Sequence, residues 1–484
     1  MQLGLSSSTQ SKKTTLPGPR GFPIIGNLPI MGKYPYQTFT DLAKQYGDVF
    51  QIRIFSRTIV VLNGLETIKE ALLKPQGDFA GRPNFYTLKN AVKGRAIGGR
   101  DYGLQWKKHR EITTNALRTF VTSRTASIEQ QVIEEASELV NILLSYEGRP
   151  LDPKIEINLS VANVMLKILF GEKCNRDDRD FVAFVKLAED FPQNTAGTLL
   201  ADFVPQTRPF FENFGQGLSK WHSALNSLEK LVLKKLKEYR DSYDPEHLRG
   251  MVDALLKATN ELAESEKQAL DLDEKVIVEG TPQEMMGTGL LPIAPLIRWA
   301  ILYMISDPEF QTKIHQELDT VVGRERQICM ADRKKLPFTE ACIHEILRHA
   351  HSFPLALPSA TTTDTTINGN FIPKDTPVFV NLYSLTRDER FWKEPEKFNP
   401  YRFLTDTGEI KENLLDKYYP FGIGKRRCFG EYLGRLEIFT FIANLMQKCT
   451  FEKVPGEKFN LEGTPGAIFM PENFKVLIKP RFLT

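Results

Sequence analysis

Residues 421–430 read Phe-Gly-Ile-Gly-Lys-Arg-Arg-Cys-Phe-Gly. Within that run Phe421, Gly424, Arg426, Cys428 and Gly430 keep an F-x-x-G-x-R-x-C-x-G spacing. An apolar stripe at helical period follows at once, through Leu433, Leu436, Phe439, Ile442, Ala443 and Met446. The chain must therefore present a cysteine on a glycine-bearing turn at the mouth of a helix. There the helix dipole and the neighbouring cations favour thiolate over thiol. Thiolate is a strong, electron-releasing ligand for haem iron, and it favours O–O cleavage on the opposite face. Glycines let the backbone approach a porphyrin and turn its amides towards sulfur. A structural cysteine in a Gly-rich turn is the plainer alternative, but it leaves the other fixed positions unexplained.

With 484 residues the chain has ample length for a large core. Its net charge of only +3 provides no global field that would point to nucleic acid. The cysteines (Cys174, Cys329, Cys342, Cys428, Cys449) are odd in number and scattered, with no CxxC pair, which favours a reducing compartment over a disulfide framework. No stretch approaches 18 uninterrupted apolar residues, so no membrane span is expected. Residues 1–15 are rich in Ser, Thr, Lys and Gln and are expected to be disordered. They either replace a removed anchor or are natural; their composition fits both.

A Pro/Gly run at Leu16–Pro19 and Pro23–Asn27 suits a stiff lead-in below a tether, or an ordinary surface loop. Alternation over 48–62 predicts a β-hairpin. Helical periodicity dominates from about 105 to 350, strand-like pieces return at 366–380 and 472–480, and Pro-punctuated loops occupy 388–420. The expected fold is mainly α with small β-sheets, and 16–484 is read as a single catalytic domain.

Two further constellations matter. Glu345 and Arg348 share a helix face at i, i+3, and Arg402 in Phe398-Asn399-Pro400-Tyr401-Arg402-Phe403 offers a second guanidinium. One carboxylate between two guanidiniums would make a satisfied buried network that pins loops. Trp106 and Arg110, at i, i+4, can offer indole N–H and guanidinium to one anionic group.

In this order, over nearly the whole chain from Pro17 to about Pro480, these motifs resemble the cytochrome P450 family of haem-thiolate enzymes. The Pro-rich start, Phe79-Ala80-Gly81-Arg82-Pro83 and the 388–403 segment look like the eukaryotic microsomal kind. The resemblance implies haem b between a long distal helix and the proximal loop, with Cys428 as axial ligand of the metal. It implies that Trp106, Arg110 and Arg426 hold the propionates, that Phe421 and Gly430 shape the loop, and that Glu345, Arg348 and Arg402 form a structural triad. Where the family often has histidine after a proline, Pro358 is followed by Ser359, so one propionate contact is weaker or comes from elsewhere.

The distal helix departs from the family. Members that split O2 carry a small-Gly-x-acid-Thr run for proton delivery. Here the stretch is Gly287-Thr288-Gly289-Leu290-Leu291-Pro292, with Leu291 at the acid position and Pro292 at the alcohol position. Thr288 lies one turn upstream as a substitute donor. A roof too apolar for proton relay implies a substrate that brings its own O–O bond. The main expectation is thus a hydroperoxide isomerase or lyase that acts on a lipid hydroperoxide without O2 or reductase, by O–O homolysis. An epoxyalcohol synthase is the first choice of product type, ahead of an allene oxide route. The alternative is a reductase-dependent monooxygenase acting on a lipophilic substrate, with Lys425, Arg426 and Arg427 near the donor's docking face. A haem-based binding or sensing protein is the non-enzymatic alternative.

Catalytic candidates are Cys428, Gly287, Thr288 and Leu291; pocket candidates are Phe85, Leu290, Leu291, Leu357 and Ile468. The segment from Leu199 through Phe211 is expected either to expose apolar residues for peripheral membrane contact or to be buried between helices. A monomer is expected, on the cytosolic face of the endoplasmic reticulum if an anchor was removed, and otherwise cytoplasmic or peripheral.

Overall fold

The computed structural model describes residues 16–74, 76–190, 200–209 and 216–482. It is mainly helical with small sheets. At its centre runs a helix from Thr281 to Ser306, entered through a π-helical turn at Lys275–Gly280. This helix is apolar on most of its circumference, so it has to be enclosed on most sides. The 275–306 stretch has the length and apolarity of a membrane span, yet 78% of its most apolar window is buried inside the protein.

The Lys154–Phe170 helix packs closely against it. That approach requires Gly289: a Cβ there would sit 2.4 Å from Met165 Sδ. Pro292 and Pro295 remove two backbone donors inside the central helix, but it continues to Ser306 because both of its ends and most of its faces are held by tertiary packing. Asp307 then accepts the Glu309 N–H at 3.2 Å and starts the next helix.

The long Leu104–Leu144 helix and the Glu431–Lys448 helix flank this core. The expected hairpin is present: β1 (Val49–Ile54) pairs antiparallel with β2 (Arg57–Leu62) in the register Val49↔Leu62. Strands β3 (Ser359–Ala360) and β6 (Pro377–Val380) complete a four-stranded sheet in the order β1-β2-β6-β3, with β2 and β6 parallel. Two small antiparallel pairs remain, β4 (Thr365–Ile367) with β5 (Asn370–Ile372) and β7 (Cys449–Lys453) with β8 (Val476–Pro480).

Within the segment expected to offer apolar residues to a membrane, Ala201 and Phe203 are buried, and Asp202 accepts the Thr87 N–H and hydroxyl, both at 2.8 Å. Leu199, Phe210 and Phe211 lie outside the described residues. Exposed apolar side chains cluster instead on the N-terminal turn, at Phe22, Ile24 and Ile25.

Candidate functional site

The 421–430 loop is shaped by close backbone approaches. Gly424 takes φ +77, and a Cβ there would lie 2.1 Å from the Leu72 carbonyl oxygen, so the loop seats directly on the Leu65–Leu72 helix. The Cys428 N–H donates to Phe421 O at 2.9 Å. Gly430 is the N-cap of the 431–448 helix, so the sulfur sits just before that helix begins. Burial pushes the Cys428 thiol up from its ordinary value. The Gly430 N–H, Arg110 and Arg427 pull it back, while Glu431 adds to the rise. Contact with a metal cation is what would keep this sulfur ionised.

Facing Cys428 across a cavity are Thr288, Gly289 and Pro292 of the central helix. One wall of the cavity is cationic. Arg426 points inward and donates to Ala80 O (2.8 Å), Ile97 O (3.3 Å) and Arg100 O (2.9 Å), with its guanidinium 4.2 Å from the Trp106 ring centroid. Trp106 Nε1 donates to Ile97 O at 3.1 Å, and Arg110 Nη2 donates to Arg427 O at 2.5 Å. Burial, and then repulsion from Arg82 and Arg110, pull Arg426 down to about 8, although Asp101 and Glu284 counteract them. Arg82, drawn down to about 10 by burial, lines the same cavity. Arg100 Nη1 is buried with no partner among the described residues. Such a cluster fits a group that carries carboxylates, as haem b does with its two propionates.

Behind the cavity, Glu345 and Arg348 are fully buried. Arg348 donates to the carboxylate through Nε (2.7 Å) and Nη2 (2.8 Å), and Arg402 Nε donates to Glu345 Oε1 at 3.0 Å. The Asn399 N–H adds a bond at 2.8 Å, and Arg348 Nη1 reaches Thr386 O and Pro395 O.

Several pocket expectations need correction. Phe85 is buried against Phe203, 4.8 Å between ring centroids, in a cluster with Phe50 and Phe379. Leu290 turns into the helical core, Leu291 is half-buried against its edge, Ile468 is buried outside the cavity lining, and Gly287 looks towards Leu228. Of the five pocket candidates, Leu357 lines the cavity. Helical phase accounts for Leu290: Glu284, Thr288 and Pro292 are spaced by four and share the cavity face, which lies opposite residue 290, whereas Leu291 stands at the edge of that face. Sequence reasoning passed over Arg82, Glu284, His351 and Ser352. Arg82 stood in a quoted motif without a role, and the others carry no spacing signal. Within the cation cluster Arg426 faces inward, while Lys425 and Arg427 border the cavity with their side chains exposed.

The cytochrome P450 family model matches residues 16–478, and the chain belongs to that family, whose cofactor is haem b. Among its relatives, cytochrome P450 1A1 of Rattus norvegicus is 37% identical over 455 residues, covering 92% of this chain and 86% of the relative. Cytochrome P450 1A1 of Sparus aurata is 36% identical over 460 residues (92% and 87%). Cytochrome P450 1A5 of Gallus gallus is 36% identical over 455 residues (92% and 85%). These relatives overturn the hydroperoxide isomerase or lyase expectation and the epoxyalcohol synthase assignment within it.

Proposed function

We propose that this protein is a haem-thiolate monooxygenase that takes electrons from a reductase and hydroxylates a lipophilic substrate. The observation that carries the reading is the match to P450 1A1 and 1A5 over 92% of the chain. In this reading the Cys428 sulfur would bind the haem iron, and Trp106, Arg110, Arg426 and Arg82 would hold the propionates. Arg82 takes the place left by Ser359, whose hydroxyl lies 3.4 Å from Arg82 Nη1. Glu345, Arg348 and Arg402 fix the loops behind the cavity. When bound, the haem supplies oxygen activation, and the thiolate ligand supplies the electron release that favours O–O cleavage.

The chain's own residues do the rest. Leu357, Ile293 and Leu296 give the cavity an apolar wall that desolvates a lipophilic substrate. Solvent-facing Lys425 and Arg427 suit an acidic electron donor. The exposed Phe22, Ile24 and Ile25 suit contact with the endoplasmic reticulum membrane.

The test is to reconstitute the haem-loaded chain with an NADPH-dependent flavoprotein reductase and a panel of steroids, fatty acids and xenobiotics. Hydroxylated product formed in step with NADPH oxidation is expected, and Cys428→Ser should abolish it. Failure to hydroxylate any of the panel with reductase present, while lipid hydroperoxides are turned over without it, would reject the reading.

A further inference from the structure

Hydroxylation of a C–H bond by O2 consumes two electrons and two protons, R–H + O2 + 2e⁻ + 2H⁺ → R–OH + H2O. The reductase brings the electrons, so the cavity must admit the protons. Pro292 carries no hydroxyl at the position where the family places one. It also has no N–H to donate to the carbonyl of Thr288, four residues earlier. The Thr288 hydroxyl is engaged within its own helix, donating to Glu284 O at 2.8 Å. The Glu284 carboxylate is engaged as well, accepting the Ile97 and Gly98 N–H groups at 2.6 and 2.7 Å.

A different segment brings polar groups to the same place. The Ser352 hydroxyl donates to the Pro292 carbonyl oxygen at 3.5 Å, a much longer bond than that of Thr288 and one that a water can replace, and the Ser352 backbone is fixed by the Phe469 N–H, which donates to Ser352 O at 2.9 Å. Beside it His351 is 2% exposed; its ring lies against the backbone of Tyr419 and Phe353, yet neither ring nitrogen makes a well-aligned hydrogen bond among the described residues. Ser352 and His351 line the cavity that contains Thr288, Pro292 and Cys428. A buried imidazole without a well-aligned hydrogen bond, next to a hydroxyl, is a polar niche that an ordered water completes.

We propose that Ser352 and His351 hold a water against Pro292 and pass protons through it into the cavity, replacing from the 351–353 segment the alcohol missing at position 292. This rests on the monooxygenase reading. The hydroxyl accepts a proton from the water on one side and releases its own on the other. A neutral imidazole takes a proton on one nitrogen and gives one up from the other. Burial draws His351 down to about 4, against the Tyr419 backbone and with Arg387 pushing the same way as burial, so the ring is neutral and suited to that exchange.

Two measurements test the proposal on the haem-loaded full chain. Diffraction should show an ordered water within hydrogen-bond reach of Ser352 Oγ and a His351 nitrogen; its absence overturns the proposal. With reductase present, Ser352→Ala should divert electrons to hydrogen peroxide and lower product per NADPH about tenfold, a share of what general acid catalysis contributes. Substrate affinity, read from optical titration, should stay unchanged, and Ser352→Thr should restore coupling. Unchanged coupling in Ser352→Ala overturns the relay and leaves the monooxygenase reading standing. No reductase-supported turnover by the unmodified protein would fell that reading and the relay with it; the water site would then be decided by diffraction alone.

Discussion

Two buried carboxylates lie behind or beside the cavity, and they behave in opposite ways. Glu345 is held between Arg348 and Arg402 with a backbone N–H in addition, so each acceptor oxygen is used. Glu345→Gln leaves two guanidiniums without their carboxylate, and breaking a buried pair of this kind costs roughly 3–5 kcal/mol. Denaturant unfolding should show that loss, and a change below about 1 kcal/mol would mean that the network is dispensable. Glu437 has no such support: burial alone pushes it up to about 8, and its Oε2 is unpartnered among the described residues. Its folded value lies above the ordinary 4.5. The protonated acid therefore contributes stability that is complete below 4.5 and is lost as pH rises through about 8. Glu437→Gln should remove that slope and leave the variant more stable than the parent at pH 8, by an amount on the order of a few kcal/mol. Thermal unfolding of both proteins between pH 5 and about pH 9 reads it, and parallel curves would refute it. The difference between the two residues also shows what a sequence can reveal. The i, i+3 spacing of Glu345 and Arg348 announces a pair, whereas a lone glutamate in a helix reads as a solvated face until packing encloses it.

The 281–306 helix sets which side chains the cavity sees. Its departures from the family were readable in order, but their orientation was not. Aligning Leu291 and Pro292 to the relay positions identifies what is missing, and only the folded helix shows that Leu290 faces the core while Glu284 and Thr288 face the cavity. The hairpin at 49–62 was legible because alternation with period two needs no partner outside the segment. The short β3 at Ser359–Ala360 exists only because β6 lies beside it, so no local pattern could mark it. Helix placement rests on Gly289, whose missing Cβ lets the 154–170 helix come close enough for Met165 to cover it. Gly289→Val inserts two methyl groups where even the first carbon would meet Met165 Sδ at 2.4 Å. Overpacking of this kind costs typically about 1–3 kcal/mol, and the helix pair must move apart or Met165 must leave its rotamer. A lower unfolding midpoint together with altered optical response to substrate is expected. A midpoint equal to that of the parent would show that Met165 yields without strain.

At the scale of the whole molecule, segments far apart in sequence meet on one cationic wall. Arg82 enters from the loop after the first helices, Arg110 from the first turns of the 104–144 helix, and Arg426 from the cysteine loop, with Arg100 just behind, its carbonyl accepting from Arg426. All four guanidiniums are drawn below their ordinary value, first by burial, and Arg426 also by its neighbours Arg82 and Arg110. No short-range pattern could reveal this convergence, because the charges are paired through the fold and not through spacing. A wall of mutually repelling cations makes the chain less stable until two carboxylates arrive, so haem b should act as a tie between these segments as well as a cofactor. Haem b dimethyl ester separates the two roles, since it keeps the porphyrin and iron but lacks the propionate charges. Each lost charge-assisted contact is worth about 1.5–3 kcal/mol, so the ester should bind at least about 100-fold more weakly than haem b. Its reconstituted chain should melt at a lower temperature than the haem b form, at equal occupancy judged by absorbance. Because the wall is buried, raising the salt concentration should narrow that gap only slightly. Equal affinity and equal melting of the two forms would show that Arg82, Arg110 and Arg426 serve the protein backbone they already touch, and that the propionates lie elsewhere.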